Sequence, residues 1–304
     1  MQTFDLHILG CGSALPTQRH LPTSQVINLR EKLLMIDCGE GAQLAWRRTH
    51  LSPMKLGHIF ISHAHGDHVF GLPGLISTMG LLGRTATLHI FGPAELKPFL
   101  DIILQQFCAG LEYEVVFTAV DTRKHEVIFE DRSMEVTTLP LHHRVPCCGF
   151  LIKEKPTLPH IRREMIDFYE IPNWAINNIK QGADWTMPDG TIVPHTKLTS
   201  PPDPVRSYAY CSDTMPVKHL PEWIEGVDTL FHEATFADSD AQRANQVGHS
   251  TARQAATIAK EAKVKRLVIG HFSARYDDEQ ILLKEAQEVF PNTILASEGM
   301  LLTL

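Results

Sequence analysis

The stretch HIFISHAHGDHVFGLPGL, residues 58–75, decides the reading of this chain. It opens with a short apolar run, His58 to Ile61, of strand length and texture. His63, His65, Asp67 and His68 follow at once, four ionisable groups within six residues. Such groups directly after a buried strand would be costly unless they shared a partner. A loop can fold them toward one point, and Gly66 permits the tight backbone this needs. His63 and His65 could serve one metal ion, and Asp67 with His68 a second. A helix is expected from about residue 71 to 82.

Three further candidates lie at predicted strand ends or just beyond them: His143, Asp213 and His271. Five imidazoles and two carboxylates make a nitrogen-rich donor set, which suits zinc first and manganese or iron second. A carboxylate has two oxygens to share, so Asp213 is the bridging candidate. His142 rivals His143. Neighbours in an extended segment point to opposite sides, and spacing alone does not choose between them.

The rest of the chain frames this cluster. Its 304 residues suffice for one large domain or two small ones, and 43% hydrophobic content supports a sizeable core. The 17 histidines invite a search for a metal site. A net charge of −7 argues against a uniformly basic nucleic-acid surface, though not against a local patch. The six cysteines include no Cys-x-x-Cys pair and read as reduced thiols. No signal peptide is visible, and no apolar stretch reaches the ~18 residues of a membrane helix, so a cytoplasmic protein without membrane contact is expected.

Predicted strands include 4–9, 26–29, 33–36, 88–91, 114–120, 126–129, 134–139, 207–211, 229–232 and 266–270, with 136–139 and 149–152 able to pair. Ser250 reads as the N-cap of the helix TARQAATIAKEA, and Asp277 or Asp278 as the cap of a last helix. Strands and helices alternating around buried apolar runs imply an α/β protein with sheets covered by helices. Residues 153–204 differ in texture, being rich in Pro, Trp, Asn and charge. They read as an inserted arm within a single domain spanning 1–304.

These motifs together resemble the ribonuclease Z branch of the metallo-β-lactamase superfamily. The resemblance rests on LGCGSALPT (9–17), MIDCGEGAQ (35–43), FISHAHGDHVFGLPGL (60–75), CSDT (211–214), FHEATF (231–236), GHST (248–251) and GHFSARY (270–276). It implies an αββα four-layer sandwich, a homodimer and two zinc ions per chain. His63, His65 and His143 would hold one ion, and Asp67, His68 and His271 the other, with Asp213 bridging. The family's histidine six residues before a glycine, here Gly149, selects His143 over His142.

The activity implied is endonucleolytic removal of the 3′ trailer from precursor tRNA, leaving a 3′-hydroxyl on the tRNA and a 5′-phosphate on the trailer. Asp67 would accept a proton, His249 would protonate the leaving oxygen with Glu233 orienting it, and Arg275 would clamp a phosphate. The arm would grip the tRNA as an exosite. Two departures stand out: Asn173-Trp174 replaces an expected Pro-Gly, and His20 replaces a frequent Asn. The alternatives are a hydrolase of a small ester, lactone or cyclic phosphodiester on the same fold, and a non-catalytic RNA-binding relative.

Overall fold

The strand Lys32–Cys38 shows how the layers arise. Its side chains alternate across the sheet, as the two-residue period of a strand requires. Leu34 and Ile36 join one hydrophobic cluster with Phe60, Phe150, Tyr208 and Leu230. Leu33 and Met35 join another with Trp46, Leu72, Ile76 and Met79. Both faces are therefore covered, and the strand reads as an unbroken apolar run.

The computed structural model describes residues 2–304. Two seven-stranded sheets organise residues 2–153 and 206–304. The first has the order Leu301–Thr303, Phe4–Gly10, Ser24–Leu29, Lys32–Cys38, Leu56–Phe60, Leu88–Gly92, Val115–Ala119. The second runs Thr293–Leu295, Arg266–Gly270, Thr229–Glu233, Ser207–Cys211, Cys148–Glu154, Met134–Pro140, Val127–Glu130. The first cluster draws on both sheets, and helices cover the far faces: Leu72–Leu81 on the first sheet, Ala252–Glu261 and Gln280–Gln287 on the second. This is the expected α/β sandwich of four layers. The strands 134–140 and 148–154 are neighbours, as their flanking position predicts.

Two helix starts differ from the sequence reading. Thr251, not Ser250, caps the helix Ala252–Glu261: its hydroxyl accepts from Gln254 N while Gln254 Oε1 accepts from Thr251 N at 2.8 Å. Ser250 instead donates to the Thr214 carbonyl at 2.6 Å, a contact no local pattern reveals. Glu279 occupies the N-cap position of the last helix, Gln280–Gln287, and Asp278 only accepts from Gln280 N at 2.9 Å.

Residues 154–205 form a compact unit of their own. Ile171, Ala175, Ile179, Val193 and Leu198 make its small core. The hairpin Trp185–Thr186 to Ile192–Val193 turns at Met187–Gly190, where Gly190 takes φ +85°. Asn173, standing where Pro-Gly was expected, begins the helix Asn173–Lys180. Phe168 and Trp174 are exposed.

Candidate metal centre and active site

Strand ends deliver the site. Leu56–Phe60 leads into the loop holding His63 and His65, and Asp67 and His68 lie in the short helix Gly66–Val69. Ser207–Cys211 ends two residues before Asp213, and Arg266–Gly270 ends immediately before His271. Asp37, Asp213 and His271 all take left-handed backbone, with φ of +52°, +54° and +60°. Few non-glycine residues do so, and packing must hold them there; such strain gathers at functional sites.

All seven candidates converge. His63, His65, His143 and Asp213 form one group whose ligand atoms lie within 4.8 Å of one another. Asp67, His68, Asp213 and His271 form the second. Asp213 belongs to both, and its oxygens divide between them. Oδ2 lies 3.6 Å from His63 Nε2 and 3.7 Å from His143 Nε2. Oδ1 lies 3.2 Å from His68 Nε2 and 3.0 Å from His271 Nε2. His143 is thus the member of the His142–His143 pair that reaches the centre. His142 is exposed and bridges to Met215.

The far sides of the rings explain their orientation. His68 Nδ1 donates to Asp37 Oδ2 at 2.7 Å. The Ser62 hydroxyl donates to the same carboxylate at 2.8 Å and is left to accept from His63 Nδ1 at 3.0 Å. The Thr235 hydroxyl likewise donates to Glu233 and accepts from His271 Nδ1 at 2.9 Å. His143 Nδ1 donates to the Gly248 carbonyl at 2.8 Å. In each ring Nδ1 faces a carboxylate, hydroxyl or carbonyl, so Nε2 is turned inward, where its lone pair would meet a bound cation. The Nε2 atoms of His68, His143 and His271 are buried without a hydrogen-bond partner. A buried polar atom is rarely left so, and a cation between these atoms would satisfy them. Partner carboxylates and carbonyls behind ligating imidazoles are what a metal site requires. The residues fit two transition-metal ions.

Electrostatics agree. Burial would lower His271, yet Asp213 and Asp67 more than offset it and push its pKa up to about 10. Burial would raise Asp213, but His271, His68 and His63 hold it well below the carboxylate range. The pocket favours added positive charge.

Beside the centre, His249 Nδ1 meets Glu233 Oε1 at 2.9 Å, and its ring lies 5.0 Å from that of His143 and 5.4 Å from that of His271. Burial opposes a charge on His249, but Glu233 raises its pKa overall. Glu233 is itself fixed by the Thr214 amide at 2.6 Å. Arg275 is half-exposed, bonded to Asp240 at 3.1 Å and stacked on Phe236 at 4.8 Å. The Phe236 ring in turn lies 6.1 Å from that of His249.

Sequence reasoning missed Asp37, Ser62 and Thr235 as orienting residues. Asp37 carried a usable signal, a carboxylate near the end of the buried run LLMIDC. Ser62 and Thr235 are common residue types whose role depends on the sheet that places them.

Comparison with known proteins follows the same lines. Residues 4–159 match the family described as Anti-Pycsar protein Apyc1, and residues 200–272 match the beta-lactamase superfamily domain. In overall fold the chain is similar to human tRNase Z, short form, at 24% identity, with a TM-score of 0.71 and 98% of each chain covered. It is also similar to YhfI of Bacillus subtilis, a metallo-beta-lactamase fold protein, at 19% identity, TM-score 0.70 and 99% coverage of each. The fold and its divided histidine–carboxylate centre define a metallo-β-lactamase-fold protein. Ribonuclease Z of Bacteroides fragilis is 60% identical over the full length of both chains, and that of Porphyromonas gingivalis 52% identical, also over the full length of both. The chain belongs to the ribonuclease Z family.

Proposed function

We propose that this chain is an endoribonuclease that removes the 3′ trailer from precursor tRNA, using two zinc ions held by His63, His65 and His143 on one side and Asp67, His68 and His271 on the other, bridged by Asp213. The observation that carries the proposal is the division of the two Asp213 oxygens between two histidine groups, in a chain alike over its whole length to ribonuclease Z. Zinc suits a site of five imidazoles and two carboxylates without thiolate.

When bound, such ions supply a water of lowered pKa and neutralise charge on the scissile phosphate. The chain's own residues would do the rest. Asp67, which His68 and His271 hold charged and well below the usual carboxylate range despite its burial, would stand beside the attacking water as its proton acceptor. His249, whose pKa Glu233 raises against the effect of burial, would donate to the leaving ribose 3′ oxygen. Support for this pairing is the buried 2.9 Å contact between them. Arg275, presented by Asp240 and Phe236, would bind a backbone phosphate.

The arm, residues 153–204, would bind the body of the tRNA. Lys155, Arg162, Arg163 and Lys180 offer it local cations for backbone phosphates among seven carboxylates, and exposed Phe168 and Trp174 give it aromatic surface. We further propose that two chains pair, supported by the exposed apolar residues Leu81, Ile102 and Phe107. We place the activity in the cytoplasm. In support, all six cysteines are free and buried, and no described helix is long and apolar enough to cross a membrane.

The test is cleavage of an end-labelled precursor tRNA with metal analysis of the same preparation. Two zinc ions per chain and a product ending in a 3′-hydroxyl are expected, and Asp213→Ala should lose metal and cleavage together. Hydrolysis of a small phosphodiester or lactone without any cleavage of precursor tRNA would overturn the reading.

A further inference from the structure

Beside His143 lies a cavity of about 870 Å³, lined among others by Pro93, Val120, Pro140, His143, Arg144 and Pro146. That volume falls within the ~300–1,000 Å³ typical of small-molecule sites. Arg144 is one of two guanidiniums on its lining. The other guanidinium on the lining, Arg123, is bonded to Asp121 at 3.1 Å. Arg144 is exposed and forms no hydrogen bond or ion pair among the described residues.

A Cβ on Gly248 would come within 3.4 Å of Arg144 Cγ and 3.1 Å of His143 Nδ1, so the Gly248 backbone packs on both residues. Arg144 thus lies between a candidate ligand and the loop carrying His249. Its head group is left free.

We infer that this cavity is a nucleotide subsite and that Arg144 is its phosphate-binding residue, taking the RNA phosphate adjacent to the scissile one. The inference rests on the endoribonuclease reading. A guanidinium fork matches the oxygens of a phosphate diester in two parallel hydrogen bonds, which a lysine cannot reproduce.

The phosphate can come from the trailer side or the mature side of the cut, and substrates distinguish them. Precursor tRNAs would be made with one neutral methylphosphonate, placed either just before or just after the scissile phosphate. Each is cleaved by the wild-type holoenzyme and by Arg144→Ala and Arg144→Lys. On unmodified precursor, Arg144→Ala should lower kcat/KM roughly 10- to 100-fold, as expected for a lost charged hydrogen bond. Arg144→Lys should recover only part of this. The slope of log(kcat/KM) against log salt should shrink by about 0.7, one single-strand phosphate contact. On the methylphosphonate substrate that removes the Arg144 contact, wild type and Arg144→Ala should cleave alike, which identifies the side.

Equal kinetics for wild type and Arg144→Ala on unmodified precursor would overturn the inference. So would a loss that persists undiminished on both methylphosphonate substrates, which would assign Arg144 to the centre itself. A wild-type enzyme inactive on precursor tRNA would overturn the endoribonuclease reading first, and the subsite with it.

Discussion

His68 Nδ1 donates a 2.7 Å hydrogen bond to Asp37 Oδ2, and both side chains are fully buried. Asp37 also accepts from the Ser62 amide at 2.8 Å and from the Tyr210 hydroxyl at 2.6 Å. One carboxylate of the first sheet thus ties together the loop bearing His63 to His68 and a strand of the second sheet. It fixes the ring of His68, and through Ser62 that of His63, before any ion arrives. Pre-orientation of this kind spares the ligands their conformational entropy when metal binds.

Asp37→Asn should therefore weaken metal affinity by about 10–100-fold without touching a ligand. Competition against a chromophoric chelator measures this, with circular dichroism confirming the fold. Affinity equal to wild type in a folded variant would show that Asp37 serves packing alone.

His249→Ala should keep its metal content and lose about 10²–10⁴ in turnover of precursor tRNA. With a nitrophenyl phosphodiester the loss should shrink, because that leaving group needs no proton. A loss of the same size on both substrates would assign His249 to phosphate binding or structure.

His20 supplies a pH prediction. Its Nδ1 lies 3.0 Å from Glu298 Oε2 and its Nε2 3.2 Å from Glu279 Oε1. The hydrogen bond to Glu298 raises its pKa above 6.5, against the opposing effect of burial. A raised folded-state pKa contributes stability that is complete below the unfolded value, and that is lost as pH rises through the folded value. His20→Asn should thus lower the melting temperature most at about pH 6 and least near about pH 9. A deficit that grows with pH would contradict the pairing.

Replacing residues 154–205 by a short Gly-Ser linker should raise KM for precursor tRNA strongly. A linker can close the gap because Lys153 and Ser207 are paired in adjacent antiparallel strands. Metal content and small-diester hydrolysis should change little, since binding would be lost and chemistry would not. Unaltered tRNA cleavage by the shortened enzyme would remove the arm from substrate binding.

Much of the centre was legible in the chain because its chemistry is local. His63, His65, Asp67 and His68 fall within one loop after one apolar strand, and ionisable groups so placed need a common partner. The apolar runs of strand length announced covered sheets, and Asp213 announced itself as a carboxylate just past a strand. Other features had no local signal. Ser250 looked like a cap and Thr251 took the role, because the Thr214 carbonyl, 36 residues away, claims the serine hydroxyl. The choice of His143 over His142 followed from family resemblance, whereas the structure makes it with the Gly248 carbonyl, 105 residues distant. The split of the Asp213 oxygens, the Asp37–Ser62 relay and the Thr235–His271 contact all join residues far apart in sequence. The sequence by itself determined which groups can bind metal and that strands would carry them. Only the tertiary structure decided which ring nitrogen faces inward and which carboxylate oxygen serves which group, because those depend on sheet register and left-handed strand ends that bring distant side chains within hydrogen-bonding distance.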